Sequence, residues 1–194
     1  MPLVLALGDS LTAGYQLRPA ESFPAQLEAA LARAGTPARV HNAGVSGDTS
    51  AAGRARLGWV LKGLPAPPAV SIVALGANDM LRGQPVAPMR DNLDAIITTL
   101  KAGGSVVVLA GMRAAPNLGQ AYAREYEAVF PALAKQHGLR LYPFFLEGVA
   151  ANPRLLLADG MHPNAAGVAV MVRGILPLVQ AALAEAARTR PRAA

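Results

Sequence analysis

No cysteine occurs among the 194 residues. Disulfides, thiolate nucleophiles and thiolate zinc sites are therefore excluded, and the chain is compatible with any redox compartment. Aromatic side chains make up only 5%, which with abundant alanine predicts slim, closely packed helices. Charged side chains are also scarce, 15% against 53% hydrophobic, the composition of a chain that folds. The longest apolar stretch, residues 168–184, is interrupted by Arg173, Pro177 and Gln180. It reads as a packed terminal helix, with no stable membrane anchoring. No leader precedes the first apolar run, so the expected compartment is the cytoplasm, or the periplasm if this is the mature form of an exported protein. Neither a G-x-x-x-x-G-K-[ST] loop nor a strand-linked G-x-G-x-x-G is present, so the usual phosphate cradles are missing.

The net charge is +6, and Arg188, Arg190 and Arg192 near the end supply half of it. The remaining excess is spread thinly, without a Lys/Arg cluster or interleaved aromatics. The balance favours solubility, and no nucleic-acid partner is expected.

What the chain does have is alternation. Strand-like runs at residues 3–7, 38–41, 69–75, 105–110 and 139–142 alternate with helical patterns at 22–34, 48–61, 88–100, 122–137 and 164–187. Asp48 is the expected cap of the second helix and Asn164 that of the last. Val70-Ser71-Ile72-Val73-Ala74-Leu75 and Val106-Val107-Val108-Leu109 are nearly continuous apolar runs, the pattern of strands buried on both faces. This alternation predicts an α/β fold with a five-stranded parallel sheet and helices on both faces. Residues 1–188 read as one domain and 189–194 as a flexible basic tail.

Three polar clusters each follow a strand: Gly8-Asp9-Ser10, then the run from Asn42 to Asp48, then Gly76-Ala77-Asn78-Asp79. In an open parallel sheet all three meet at the carboxyl edge, where such folds place their ligands. Ser10 needs a base to become nucleophilic, and a histidine suits best. Of the three histidines, His41 ends a strand and His137 ends a helix, both structural positions. His162 lies in a loop three residues after Asp159, which can orient its imidazole toward Ser10. The same residues also read as a turn followed by a helix start, and both readings can hold together. Attack on an ester creates an oxyanion, for which the Ser10 N–H, the Gly44 N–H and the Asn78 side chain are candidate donors. Gly44 as a turn glycine and Asn78 as a turn or cap residue are the alternatives.

Four blocks, the run from Gly8 to Tyr15, the run from Asn42 to Ser50, Gly76-Ala77-Asn78-Asp79 and Asp159-Gly160-Met161-His162-Pro163, together resemble the GDSL or SGNH hydrolases. They look most like the bacterial thioesterase, arylesterase and lysophospholipase branch. The resemblance implies a flavodoxin-like three-layer α/β/α sandwich. It implies Ser10 as nucleophile, His162 as base, Asp159 as its orienting acid, and Ser10, Gly44 and Asn78 as oxyanion donors. It also implies an acyl pocket bordered by the loop after Asn78, so that Asp79, Met80 and Leu81, with Asp9 beside the nucleophile, are expected at the substrate. No metal and no organic cofactor is implied. The chain has no G-x-S-x-G elbow.

The expected activity is a serine esterase whose partner is a small-molecule acyl ester or thioester. A carbohydrate O-deacetylase of the same family is the nearest alternative, separable by a panel of acetylated sugars. A non-catalytic binding module on a flavodoxin-like scaffold is the alternative from another class, separable by covalent labelling with a fluorophosphonate.

Overall fold

The computed structural model describes residues 1–189. Its centre is a five-stranded sheet: β1 (Leu3–Gly8), β2 (Arg39–Gly44), β3 (Val70–Ala74), β4 (Val106–Ala110) and β5 (Arg140–Tyr142). The strand order is β2-β1-β3-β4-β5 and every pairing is parallel. That order reverses between β1 and β3, the switch point of flavodoxin-like sheets. The register sets Gly8 beside Gly44 on one side and Ala74 on the other. The three polar clusters thus start from one level of the sheet.

Successive residues of a strand face opposite sides, and both sides of this sheet are covered. Val4, Ala6, Val70, Ile72 and Val108 pack with Phe23, Leu27 and Leu31 of α2 (Phe23–Arg33) and with Met171, Ile175 and Val179 of α7 (Ala165–Thr189). On the other face Leu5, Leu7, Val73, Leu75 and Leu109 meet α3 (Ser50–Gly63), α5 (Val86–Ala102) and α6 (Gln120–His137). The result is the expected three-layer α/β/α sandwich. Each fully buried Leu, Ile or Phe contributes roughly 1.5–3 kcal/mol.

α7 has the length and mean hydropathy, 1.7, of a membrane-crossing helix. Its Val168, Met171, Val172, Ile175 and Val179 are nonetheless buried against the sheet and α2. Pro177 lies within it without ending it.

The structure adds two short helices, α1 (Ser10–Ala13) and α4 (Ala77–Leu81), too short to show an apolar period. It also moves one cap. Thr49, not Asp48, caps α3 by accepting from the Ala52 N–H at 3.2 Å. Asp48 pairs instead with Arg56 at 2.6 Å. Asn164 caps α7 as expected, accepting from the Gly167 N–H at 2.9 Å. Of the expected basic tail only Thr189, the last residue of α7, is described; residues 190–194 lie outside the described residues.

Candidate active site

Ser10 stands at the first position of α1, directly after β1. Asp9 caps that single turn, its Oδ1 accepting from the Leu11 N–H at 3.0 Å. Gly14, in the left-handed region at φ 88°, ends it. The nucleophile candidate is therefore fixed from both sides within the six residues from Asp9 to Gly14.

His162 and Asp159 come from a tight hairpin between β5 and α7. Leu156 and Pro163 form an antiparallel bridge. Around it the Leu157 N–H donates to His162 O at 2.7 Å, and the Asn164 N–H donates to Leu155 O at 2.9 Å. At the tip, Asp159 Oδ1 accepts from the backbone N–H groups of His162 at 3.0 Å and Met161 at 2.9 Å. Its Oδ2 lies 2.6 Å from His162 Nδ1. These hydrogen bonds, the His162 backbone N–H first, hold the Asp159 carboxyl down at about 2. A carboxylate only accepts, so the imidazole proton belongs on Nδ1. That leaves Nε2 as acceptor for the Ser10 hydroxyl, 3.0 Å away. Ser10, His162 and Asp159 thus form one continuous chain of hydrogen bonds, across 152 residues of sequence between the first two.

Tyr15 packs on this chain, its ring centroid 4.4 Å from that of His162 at a tilt of 39°. In the sequence it closes the first block, Gly8 to Tyr15, without an assigned role. The only signal was an aromatic just past the nucleophile turn in a chain with four tyrosines.

One of the three expected oxyanion donors, the Gly44 N–H, is engaged elsewhere. Gly44 still belongs to β2, and the Val45 N–H points to Gly8 O on β1 at 3.0 Å. Alternate N–H groups of a strand point opposite ways, so that of Gly44 faces away from β1. There it donates to Asn42 Oδ1 at 2.9 Å. Arg56 Nη2 grips the other end of the same peptide, Ala43 O, at 2.7 Å. Gly44 is thus a packing glycine: a Cβ there would stand 2.3 Å from the Ala13 nitrogen of α1. Three positions on, the N–H of Gly47 has no acceptor among the described residues, as is also true of its loop neighbours Ser46 and Thr49; Gly47 is the second glycine of the block. Its φ of 84° makes it the left-handed corner of the turn closed by the Asp48 N–H to Val45 O at 3.1 Å. Arg82 Nη2 fixes this turn by donating to Gly47 O at 2.8 Å. Composition cannot tell two glycines of one block apart; the ladder register does.

Asn78 lies in the first turn of α4. Its Nδ2 donates to Asp48 O at 2.9 Å and reaches toward Asp9 Oδ2 at 3.4 Å. Three of the residues expected at the substrate lie inside instead. Asp79 is 3% exposed and accepts from Ser50 Oγ at 2.6 Å and the Ser50 N–H at 2.8 Å, tying α4 to α3. Met80 is 4% exposed, its sulfur accepting from the Ala115 N–H. Asp9 is 2% exposed, and burial pushes its carboxyl up to about 6. Leu81 alone of the four is open to solvent. Leu81, Tyr15, Val45 and Met161, on four different segments of this edge, are exposed large apolar side chains.

His41 lies exposed on the edge strand, and His137 bonds Asp94 at 2.6 Å to join α6 to α5. Among the described residues no three His, Asp or Glu side chains cluster to hold a metal ion.

Comparison with known proteins identifies the family. The model of the GDSL-like Lipase/Acylhydrolase family matches residues 6–170. An arylesterase from Vibrio mimicus is 40% identical over 161 residues, 83% of this chain and 80% of its own. A thioesterase 1/protease 1/lysophospholipase L1 from Escherichia coli is 38% identical over 83% of this chain and 75% of its own. The crystal structure of AlinE4, an SGNH-hydrolase family esterase, superposes with a TM-score of 0.80 at 48% identity, covering 94% of this chain and 96% of that one. The family match spans all four polar blocks; the chain belongs to the GDSL-like lipase/acylhydrolase family.

Proposed function

We propose that the protein hydrolyses small carboxylic esters through a covalent acyl-enzyme on Ser10. The observation that carries this reading is the hydrogen-bonded chain from Ser10 Oγ to His162 Nε2 and from His162 Nδ1 to Asp159, at 3.0 and 2.6 Å. Ser10 Oγ attacks the ester carbonyl carbon as its proton passes to Nε2. The imidazolium so formed is stabilised by the Asp159 carboxylate. The carbonyl oxygen becomes an oxyanion, met by the Ser10 N–H, the Gly47 N–H and Asn78 Nδ2. Collapse expels the alcohol, which takes the proton from His162, and water repeats the cycle to release the acid.

Aryl and alkyl esters are the proposed substrates. Acyl thioesters and lysophospholipids are the further classes named in relatives. The exposed apolar side chains of Tyr15, Val45, Leu81 and Met161 supply the surface on which an acyl chain would lie.

The test is labelling with a fluorophosphonate alongside hydrolysis of p-nitrophenyl acetate. Wild type is expected to take up one equivalent and to lose activity in step. Ser10→Ala is expected to take up none and to lose at least about 10³-fold in kcat, with an unchanged melting temperature. A Ser10→Ala protein that keeps most of the wild-type rate would sink the assignment.

A further inference from the structure

We propose that Asp9 is a positioning residue that couples the nucleophile turn to the oxyanion donor Asn78. The inference rests on Ser10 being the nucleophile. Its starting point is a division of labour within one carboxyl group. Oδ1 accepts from the Leu11 N–H at 3.0 Å and so holds the turn that presents Ser10. Oδ2 faces Asn78 Nδ2 at 3.4 Å. Asn78 Nδ2 has two hydrogens, and one is firmly held by Asp48 O at 2.9 Å. Among the described residues the second has only Asp9 as its partner. That contact is long, so it aims the hydrogen without binding it tightly. When the oxyanion forms, the hydrogen can be yielded to it at little cost, and the gain is realised in the transition state rather than the ground state.

The coupling depends on which atom of Asp9 carries a proton. Oδ1 is occupied by a donor, so an added proton goes to Oδ2 and faces the Asn78 amide donor to donor. The aim is then lost. Asp9 titrates at about 6 because burial disfavours its charge. The charged groups that act on it come from separate segments: His162 on the hairpin favours the carboxylate, and Asp48 on the loop after β2 opposes it. Asp48 is itself paired with Arg56, and the buried Tyr126 hydroxyl of α6 also senses Asp9.

Asp9→Asn separates capping from coupling. Asparagine caps a helix as well as aspartate does, but its amide presents hydrogens where Oδ2 accepted. The expected outcome is a fall in kcat of roughly tenfold to a hundredfold with KM held, smaller than the loss of an oxyanion donor itself. The acid limb of the wild-type kcat/KM profile should carry two ionisations, Asp9's and the base's, and that of Asp9→Asn only one. In an Asn78→Ala background Asp9→Asn should cost nothing further, a non-additivity that a merely structural cap would not give. An Asp9→Asn enzyme with wild-type kcat and an unaltered acid limb overturns the inference, as does full additivity with Asn78→Ala. Ser10→Ala is run in parallel. If it keeps wild-type turnover, the nucleophile assignment fails and this inference with it; if it is inactive while Asp9→Asn behaves as wild type, only this inference fails.

Discussion

Asp9 and Asp159 flank the same reaction and have been pushed in opposite directions. Asp159 is held down at about 2 by hydrogen bonds to its charged form; Asp9 is raised to about 6 by burial. Linkage turns each shift into a dependence of stability on pH. Asp159 adds stability above the unfolded value of 3.8, and this is lost as pH falls toward 2. For Asp9 the sign reverses. Between 3.8 and about 6 the folded protein keeps a proton that the unfolded chain has released. Stability therefore falls as pH rises through that window, and the cost is complete above it. A shift of about two units corresponds to about 3 kcal/mol. Asp9→Asn is thus expected to be more stable than wild type at pH 8, by up to about 3 kcal/mol less the donor-to-donor contact with Asn78. The gain should shrink toward pH 4. Urea melts at the two pH values measure it, and a variant less stable than wild type at pH 8 contradicts the burial argument. Such a pairing of higher stability with lower turnover is what a strained functional residue gives.

At the scale of elements, the hairpin carrying Asp159 and His162 is the part on which the base depends. It is seated on the first turn of α7, where Gly167 lets the Leu155 carbonyl approach. A Cβ at Gly167 would stand 2.2 Å from that oxygen and 3.0 Å from Pro163 Cβ. The oxygen belongs to backbone, so the clash cannot be relieved by a rotamer. Gly167→Ala is expected to displace the hairpin and move His162 from Ser10. A shift of about 1 Å costs on the order of 10²-fold in rate, so kcat should fall far more than the melting temperature does. Equal, small losses in both would show that the hairpin absorbs the methyl elsewhere. Such a contact could not be read from the sequence, because Gly167 looks like any helix glycine until the loop is laid on it. The long elements were legible for the opposite reason. Val70 to Leu75 and Leu93, Ile96, Ile97 and Leu100 repeat their apolar pattern over enough residues to declare a strand and a helix face. The one-turn helices α1 and α4 have no room for a period, although they carry Ser10 and Asn78.

At the scale of the molecule, the parallel sheet converts order along the chain into position at one edge. Ser10 and Asn78 follow β1 and β3, neighbours in the sheet, while His162 arrives from beyond β5 at the far side. This convergence was legible because the first three blocks each lie at the end of a strand-like run, two of those runs, β1 and β3, being buried throughout. The inward turn of Asp79 and Met80 was not, since it depends on how α4 packs on Ser50 and Ala115. Their burial leaves Leu81 as the member of that segment that can meet substrate. With Met161 beside the base, at 49% and 51% exposed, it gives the edge two apolar side chains that stand half open to solvent. Burying a methylene contributes about 0.8 kcal/mol, so each side chain can distinguish long acyl groups from acetate without touching the reacting atoms. Leu81→Ser and Met161→Ser are expected to leave kcat/KM for p-nitrophenyl acetate within about twofold, because neither belongs to the hydrogen-bonded chain. For the octanoate ester the same variants should lose roughly fivefold to thirtyfold, about 1–2 kcal/mol, mainly through KM. An equal loss on acetate and octanoate would place these side chains in support of His162 and Asn78 rather than against the acyl chain. An unchanged octanoate rate would send the acyl chain toward the other two exposed apolar side chains of this edge, Tyr15 and Val45.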